Sequence, residues 1–372
     1  MSTKRILFVD DESSILEGLA NLLRKQRKRW EMTFARGAEE ALAELGKGPF
    51  DVVVSDMRMP GMDGAALLAR VKEQCPGTAR IVLSGHAERE AVIKALAVAH
   101  QFLSKPCNGD ALVGVIERTC RLQELLQDAA VRAAIGQLDC LPSAPATYLE
   151  LVRVAADPNA GLPELTKIVE RDTAMAVKVL QLVNSAFFGL AHPMASVAKA
   201  VNYLGVDLLK GLALNLHVFG QATKVQVAGF SPERLQEQAL LCGRLAGRFV
   251  REKKDAEAAM TSALVKDAGK LVLCQARPEA YARIVAEAAA NGEPLHAVEQ
   301  RVLGLTHAEV GAYLLGVWGL PFTVVEAVAF HRRPALVSEG PREVLAAVHV
   351  AAALVDESVH APAAIELDFL RA

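Results

Sequence analysis

Asp56 closes the apolar run Val52-Val53-Val54-Ser55 and is followed at once by Met57-Arg58-Met59-Pro60-Gly61-Met62-Asp63-Gly64, where Pro60, Gly61 and Gly64 forbid a regular continuation. A second run, Arg5 to Val9, ends in the carboxylate triple Asp10-Asp11-Glu12. Adjacent carboxylates repel one another unless a hard cation neutralises them. Mg²⁺ is typically held by one or two carboxylates, with water and substrate phosphate completing its shell. This pattern predicts a magnesium site. Two further runs, Arg80 to Leu83 and Gln101 to Ser104, end in Ser84-Gly85 and Lys105-Pro106. Four strand ends therefore offer carboxylates, a hydroxyl and an ammonium group.

The elements that must position these groups are β-strands near 5 to 9, 31 to 35, 51 to 55, 80 to 83 and 101 to 103. The run Val52-Val53-Val54 is β-branched and does not alternate, which suits a strand covered on both faces. Amphipathic stretches led by Ser13, Gly37, Gly64 and Glu88 lie between the strands, and the first carries Ile15, Leu19, Leu22 and Leu23 at helical spacing. Alternation of this kind predicts an α/β, doubly wound, five-stranded parallel sheet. In such sheets ligands gather at the carboxyl ends of the strands, where these residues fall.

Carboxylates, a hydroxyl and a lysine at four strand ends resemble the receiver domain of two-component response regulators, over about the first third of the chain. The resemblance implies a flavodoxin-like fold. It also implies that Asp56 takes a phosphoryl group from a kinase phosphohistidine, forming an acyl phosphate. Asp11 and Asp56 would ligate Mg²⁺, Asp10 would act mainly through water, and the main-chain carbonyl of Arg58 would complete the protein's share. Lys105 and Ser84 would contact the phosphoryl oxygens. Phe102 matches the aromatic residue that reports the change to the outer face.

At 372 residues the chain has room for two cores. Lys and Arg total 41 against 43 Asp and Glu, a net charge of -2, so no global basic field exists to attract nucleic acid. The hydrophobic fraction is 52%, yet no apolar run approaches the roughly 18 residues of a membrane span. The first strand begins almost at the N-terminus, with no signal-peptide core before it, so a cytoplasmic location is expected. The six cysteines form no C-x-x-C pair and no zinc spacing, and read as reduced small hydrophobes.

From Asn108 a helical pattern runs on through Leu112, Val115, Ile116, Thr119, Leu122, Leu126, Ala129 and Ala133. It suits a last helix extended into a rigid connector, a short coiled-coil seam able to form a homodimer, or an ordinary last helix followed by a loop. Beyond Pro145 only helical stretches follow. The expected organisation is a receiver over 1–120, a helical connector over 121–140, an all-α module over 141–355 and a tail over 356–372.

In the all-α module, Leu141-Pro142, Leu165 to Val169, Arg171-Asp172, Val183-Asn184-Ser185-Ala186-Phe187-Phe188-Gly189 and Ala200 to Gly205 resemble the HDOD output domain of bacterial signalling proteins. Lys266-Asp267-Ala268-Gly269-Lys270-Leu271, Thr306 to Leu315 and Phe330-His331-Arg332-Arg333-Pro334 extend the likeness. HDOD domains are related to the HD phosphohydrolases, whose His, His-Asp pair and distant Asp hold divalent metals. Here those positions fall at Gln238, Lys266-Asp267 and Ala352, and a protonated lysine cannot ligate a metal. Of those ligands Asp267 alone survives, so no cofactor is expected in this module and Lys266 is expected to pair with Asp267 in the vacated site. His307, His331 and His349 read as hydrogen-bonded core or groove residues. The stretch Leu162 to Ser185 has the outline of a helix-turn-helix, but Thr173 to Asn184 carries a single lysine, Lys178, among apolar residues, which favours burial over base reading.

The sequence thus points to a bacterial response regulator with Mg²⁺ in its receiver and a non-catalytic HDOD output domain. Its expected partners are a sensor histidine kinase and an unidentified downstream signalling protein, with no nucleic acid and no membrane. The alternative is a response-regulator phosphohydrolase acting on a nucleotide or phosphate ester through the helical module.

Overall fold

The structure, a computed structural model, describes residues 3–84, 98–105, 108–126, 128–138, 141, 145–157, 160–185, 190, 193–214, 227–337, 342–358 and 365–371. The chain divides into two compact units, with Met1–Asp139 in the first and most of Cys140–Ala372 in the second.

In the first unit, strands β1 (Lys4–Val9), β2 (Trp30–Ala35), β3 (Val52–Asp56), β4 (Ala79–Ser84) and β5 (Gln101–Ser104) form one parallel sheet in the order β2-β1-β3-β4-β5. Ile6, Leu7, Phe8, Val52, Val53 and Val54 are all buried, as expected of strands covered on both faces. The covering helices include α1 (Ser13–Leu22), α2 (Ala38–Lys47), α3 (Gly64–Gln74) and α4 (Gly109–Leu125). The helix expected from Glu88 lies outside the described residues. Helix starts are set locally: Asp63 accepts from the Ala66 N–H at 2.7 Å, and Asn108 accepts from the Asp110 N–H at 3.0 Å. The strand order reverses between β1 and β3, and pairing of Val9 with Ser55 carries Asp10 level with Asp56 on either side of that switch point.

The apolar run from Leu112 to Ala133 is not one helix. Helix α4 stops at Leu125, and Asp128 caps a separate helix α5 (Ala129–Gln137) by accepting from the Ala130 and Val131 N–H groups. Helix α5 packs on the first unit, with Val131 and Ile135 buried. Arg80 fixes it there. This arginine at the start of β4 is wholly buried, and its guanidinium donates to the carbonyls of Gly136 at 2.6 Å, Val98 at 2.5 Å and Thr78 at 3.2 Å, and to the His100 ring at 2.8 Å. Four acceptors supply what a buried cation loses in hydration.

Gly136 is required by this close approach, since a Cβ there would lie 1.6 Å from the Pro76 carbonyl oxygen. Gly136→Ala is therefore expected to destabilise the first unit by about 1–3 kcal/mol through overpacking. It should also speed tryptic cleavage at Arg132. Unchanged melting and cleavage would show that α5 is not docked.

The second unit is helical throughout its described residues. It comprises α6 (Pro145–Ala156), α7 (Leu162–Arg171), α8 (Thr173–Val183), α9 (Val197–Leu214), α10 (Pro232–Phe249), α11 (Lys253–Val265), α12 (Ala268–Ala276), α13 (Pro278–Asn291), α14 (Leu295–Leu303), α15 (His307–Val317), α16 (Phe322–Phe330), α17 (Glu343–Ser358) and α18 (Leu367–Arg371), with one 3₁₀ turn at Pro334–Leu336. Helix α9 is kinked at Gly205, whose φ of 77° is left-handed and suits glycine. The core among α10, α11, α16 and α17 is built largely of alanine, including Ala246, Ala258, Ala259, Ala263, Ala327, Ala347 and Ala351. Small side chains let these helices approach closely. Every residue of α8 is buried, Lys178 included, so the segment that outlines a DNA-reading helix is core.

Candidate functional site

Three of the expected receiver residues converge at the carboxyl edge of the sheet. Asp10 follows β1, Asp56 ends β3 and Lys105 follows β5. Asp10 and Asp56 are buried, and the Lys105 ammonium bridges them, 2.8 Å from Asp10 Oδ2 and in a direct ion pair with Asp56 Oδ1. Partial burial alone would lower the lysine pKa, but the hydrogen bonds to Asp10 and Asp56 outweigh it and hold the ammonium above its ordinary value. Backbone donors fix the other oxygens. The Arg58 N–H donates to Asp56 Oδ2 at 2.7 Å, and the Glu12 N–H donates to Asp10 Oδ1 at 3.0 Å.

The loop after Asp56 is held as tightly. The Met57 N–H donates to the Leu83 carbonyl at 3.0 Å and the Gly64 N–H to the Met57 carbonyl at 2.9 Å. Gly64 admits the Asp56 carbonyl, because a Cβ there would come within 2.0 Å of its oxygen. Asp11 is exposed beside this pair, and the Arg58 side chain is exposed too. Ser84 ends β4 next to β3, while its side chain lies outside what the structure describes. Phe102 is buried in β5, three residues before Lys105. Gly85, Pro106 and Cys107 lie outside the described residues.

The buried carboxylates of Asp10 and Asp56, with Asp11 exposed next in the chain, offer hard oxygen donors, the chemistry that suits Mg²⁺. Lys105 is paired with both buried acids, and with Asp11 next to Asp10 one ammonium stands against three carboxylates, which leaves negative charge for a further cation to neutralise. The residues expected to hold the ion remain Asp10, Asp11, Asp56 and the Arg58 carbonyl, of which the structure brings Asp10 and Asp56 together.

The second unit contains a buried polar cluster. Lys266 ends the α11 segment and donates to Asp267 Oδ2, and Lys270 Nζ lies 2.9 Å from Oδ1. Burial would raise the Asp267 carboxyl, yet Lys266 and Lys270 hold it well below its usual range. The expected Lys266–Asp267 pair is present. Gln238 sits half-buried on α10, and Ala352 lies in the alanine-rich core of α17 with no polar role.

The histidines divide. His349 is fully used, its Nδ1 donating to the His331 carbonyl at 2.8 Å and its Nε2 accepting from the Glu366 N–H at 2.9 Å. His307 and His331 instead gather beside Asp267, with one potential ligand atom from each of the three within 4.8 Å of the others. Their reading as ordinary hydrogen-bonded core residues is incomplete, because one ring nitrogen of each has no partner. Glu299 and Tyr281, which support His307, carry no sequence signal: each is one of several polar residues in its helix.

Comparison with known proteins gives two family matches. The HDOD domain model matches residues 141–334, over half of the chain, and the response regulator receiver domain model matches residues 6–117. An uncharacterized protein of Treponema pallidum is 28% identical over 221 residues, covering 58% of this chain and 42% of that protein. The DNA-binding transcriptional regulator NtrC of Escherichia coli is 37% identical over 140 residues, covering 37% of this chain and 29% of that protein. The chain thus spans less than half the length of these relatives. Among solved structures, a virulence factor from Campylobacter jejuni aligns at 19% identity with a TM-score of 0.50, over 64% of this chain and 84% of that one, a likeness of fold alone. Together, the parallel sheet with its acid-lysine edge and the helical module matched over 141–334 show that this chain belongs to the HDOD domain family and is a response regulator with a receiver domain ahead of that module.

Proposed function

We propose that a sensor histidine kinase phosphorylates Asp56 and that this modification regulates a non-catalytic HDOD output domain. The observation that carries the reading is the Lys105 ammonium shared by Asp10 and Asp56 at the switch point of the sheet. Asp56 Oδ1 is the oxygen facing that cation, and its Oδ2 is held by the Arg58 N–H, so the carboxylate is oriented before a donor arrives. Mg²⁺, when bound, supplies charge neutralisation for the transferred group. Lys105 then exchanges one carboxylate for a phosphoryl oxygen without leaving its place. Ser84, at the end of the neighbouring strand, would take another oxygen, and its movement would free space for Phe102 to shift.

The phosphohydrolase alternative is disfavoured by the residues at the metal positions of its relatives: a half-buried glutamine, a lysine bonded to the surviving aspartate and an alanine in the apolar core. DNA binding belongs to the name of the E. coli relative, and the burial of α8 gives no support for it here.

Hydrogen exchange on the full-length chain tests the regulatory half of the reading. Adding beryllofluoride with Mg²⁺ should change deuterium uptake between about 110 and 136 and within 141–334. Uptake that changes only around Asp56 would mean that the receiver does not control the helical module.

A further inference from the structure

We infer that Asp267, His307 and His331 form a closed binding site for one divalent transition-metal ion of the zinc class, independent of the receiver and of its phosphorylation. Each residue leaves one buried atom without a hydrogen-bond partner: Asp267 Oδ1, His307 Nε2 and His331 Nε2. The residues are 2%, 1% and 0% exposed, so water does not satisfy these atoms from bulk. Buried polar atoms are nearly always paired; Asp267 Oδ1 has only the Lys270 ammonium, 2.9 Å away, and the two histidine nitrogens beside it have no partner, so the three call for a common one.

The proton positions show what kind of partner is missing. His331 Nδ1 lies 2.8 Å from the Val328 carbonyl, which can only accept, so the proton sits on Nδ1 and Nε2 presents a bare lone pair. His307 Nδ1 lies 2.6 Å from Glu299 Oε2, which places its proton there in the same way. The His307 Nε2 lone pair then faces Asp267 Oδ1 at 3.5 Å, acceptor against acceptor. A cation bound by all three removes that repulsion. Two ligands at the 2.0–2.1 Å bond lengths of tetrahedral zinc lie roughly 3.3 Å apart, close to the observed separation. Two imidazoles and one carboxylate select a zinc-class ion over Mg²⁺.

The surroundings match a ligand role. Tyr281 Oη donates to Glu299 Oε1 at 2.8 Å, and Glu299 Oε2 also accepts from the His307 N–H at 2.8 Å. A carboxylate locked in this manner behind a histidine is the usual device for orienting a metal-binding imidazole. Gly269 lets α12 and α15 meet, since a Cβ there would lie 2.0 Å from the His307 carbonyl oxygen, and this contact sets Asp267 against His307. Lys270 is the competitor. Its partly exposed ammonium lies against Oδ1 and must swing outward when the ion binds, whereas Lys266 keeps Oδ2. With its ligands this deeply buried, the site has no approach for a phosphate ester, so the ion is structural.

The test uses full-length protein carrying Asp11→Asn and Asp56→Asn, which removes two of the receiver's three acids and leaves Asp10 paired with Lys105, with Zn²⁺ and Co²⁺ as probes. The expected result is one equivalent of Zn²⁺ per chain and a visible Co²⁺ absorption band of low-symmetry N/O ligation. His331→Gln should abolish the band, and Glu299→Gln should weaken Zn²⁺ affinity by roughly 10–100-fold. Lys270→Ala should tighten it. Absence of saturable binding at micromolar metal, or an unchanged band in a folded His331→Gln protein, overturns the assignment. Should His331→Gln fail to fold, Lys270→Ala decides, since unchanged or weaker affinity there contradicts the competition that the geometry requires.

Discussion

Asp56→Asn is expected to reduce Mg²⁺-dependent phosphoryl incorporation from a small donor such as acetyl phosphate to background, a loss limited only by the sensitivity of the label. The amide that replaces Oδ2 or Oδ1 is no nucleophile, and it also breaks the ion pair with Lys105. No other described carboxylate combines the same features. Asp10 keeps a place beside Lys105 but follows β1 with its Oδ1 occupied by the Glu12 N–H, and Asp11 is exposed. Lys105→Ala should leave labelling detectable and slower, because the nucleophile remains while the cation that orients it is gone. Labelling that persists in Asp56→Asn, with the labelled peptide mapped elsewhere, would remove the phosphoacceptor assignment.

Lys266→Met is expected to have the largest effect on stability, roughly 3–5 kcal/mol, because it strands a buried carboxylate whose principal partner is gone. Hydrogen exchange of α11 amides, measured with chelator present, reports the stability of the helical unit directly. The pH dependence has a definite sign. In the native protein the Asp267 pKa is depressed, so its stabilising contribution is present above the ordinary carboxylate value near ~3.9 and is lost only as pH falls through the lower folded value. Between pH 8 and 5 the wild type should therefore show no change from this group. In Lys266→Met the balance is reversed: burial now dominates, the folded state takes up a proton, and the penalty should shrink as pH falls. Lys266→Met with Asp267→Leu should recover much of the loss. A small, pH-independent penalty in the single variant would mean that Lys270 alone neutralises Asp267.

Much of this molecule is legible in its sequence, for identifiable reasons. Strands covered on both faces write themselves as unbroken apolar runs, so Arg5 to Val9 and Val52 to Val54 could be placed without coordinates. Strand ends follow, and with them Asp10, Asp56 and Lys105. What stayed hidden depends on contacts far apart in the chain. Arg80 reads as an ordinary first strand residue, and nothing local says that its guanidinium meets Gly136, 56 positions away. The break at Leu126 is equally silent, because Gln127-Asp128 interrupts neither hydrophobic spacing nor charge. His307 and His331 are 24 positions apart and carry no i, i+4 signature, so their meeting with Asp267 depends on the packing of α12 against α15 and on where the end of α16 sets His331.

The seat that Arg80 makes for α5 has a consequence for how such a chain can be cut or rejoined. A receiver severed after Leu125 would lose one of the carbonyls that solvate the Arg80 guanidinium and would bare the surface that Val131 and Ile135 of α5 cover. Any chimaera grafted at that point would begin life with an inadequately hydrated interior cation, a defect no new output module could repair from outside. The transferable piece therefore extends through Leu138, and fusions that exchange output modules are confined to the few residues before Leu141.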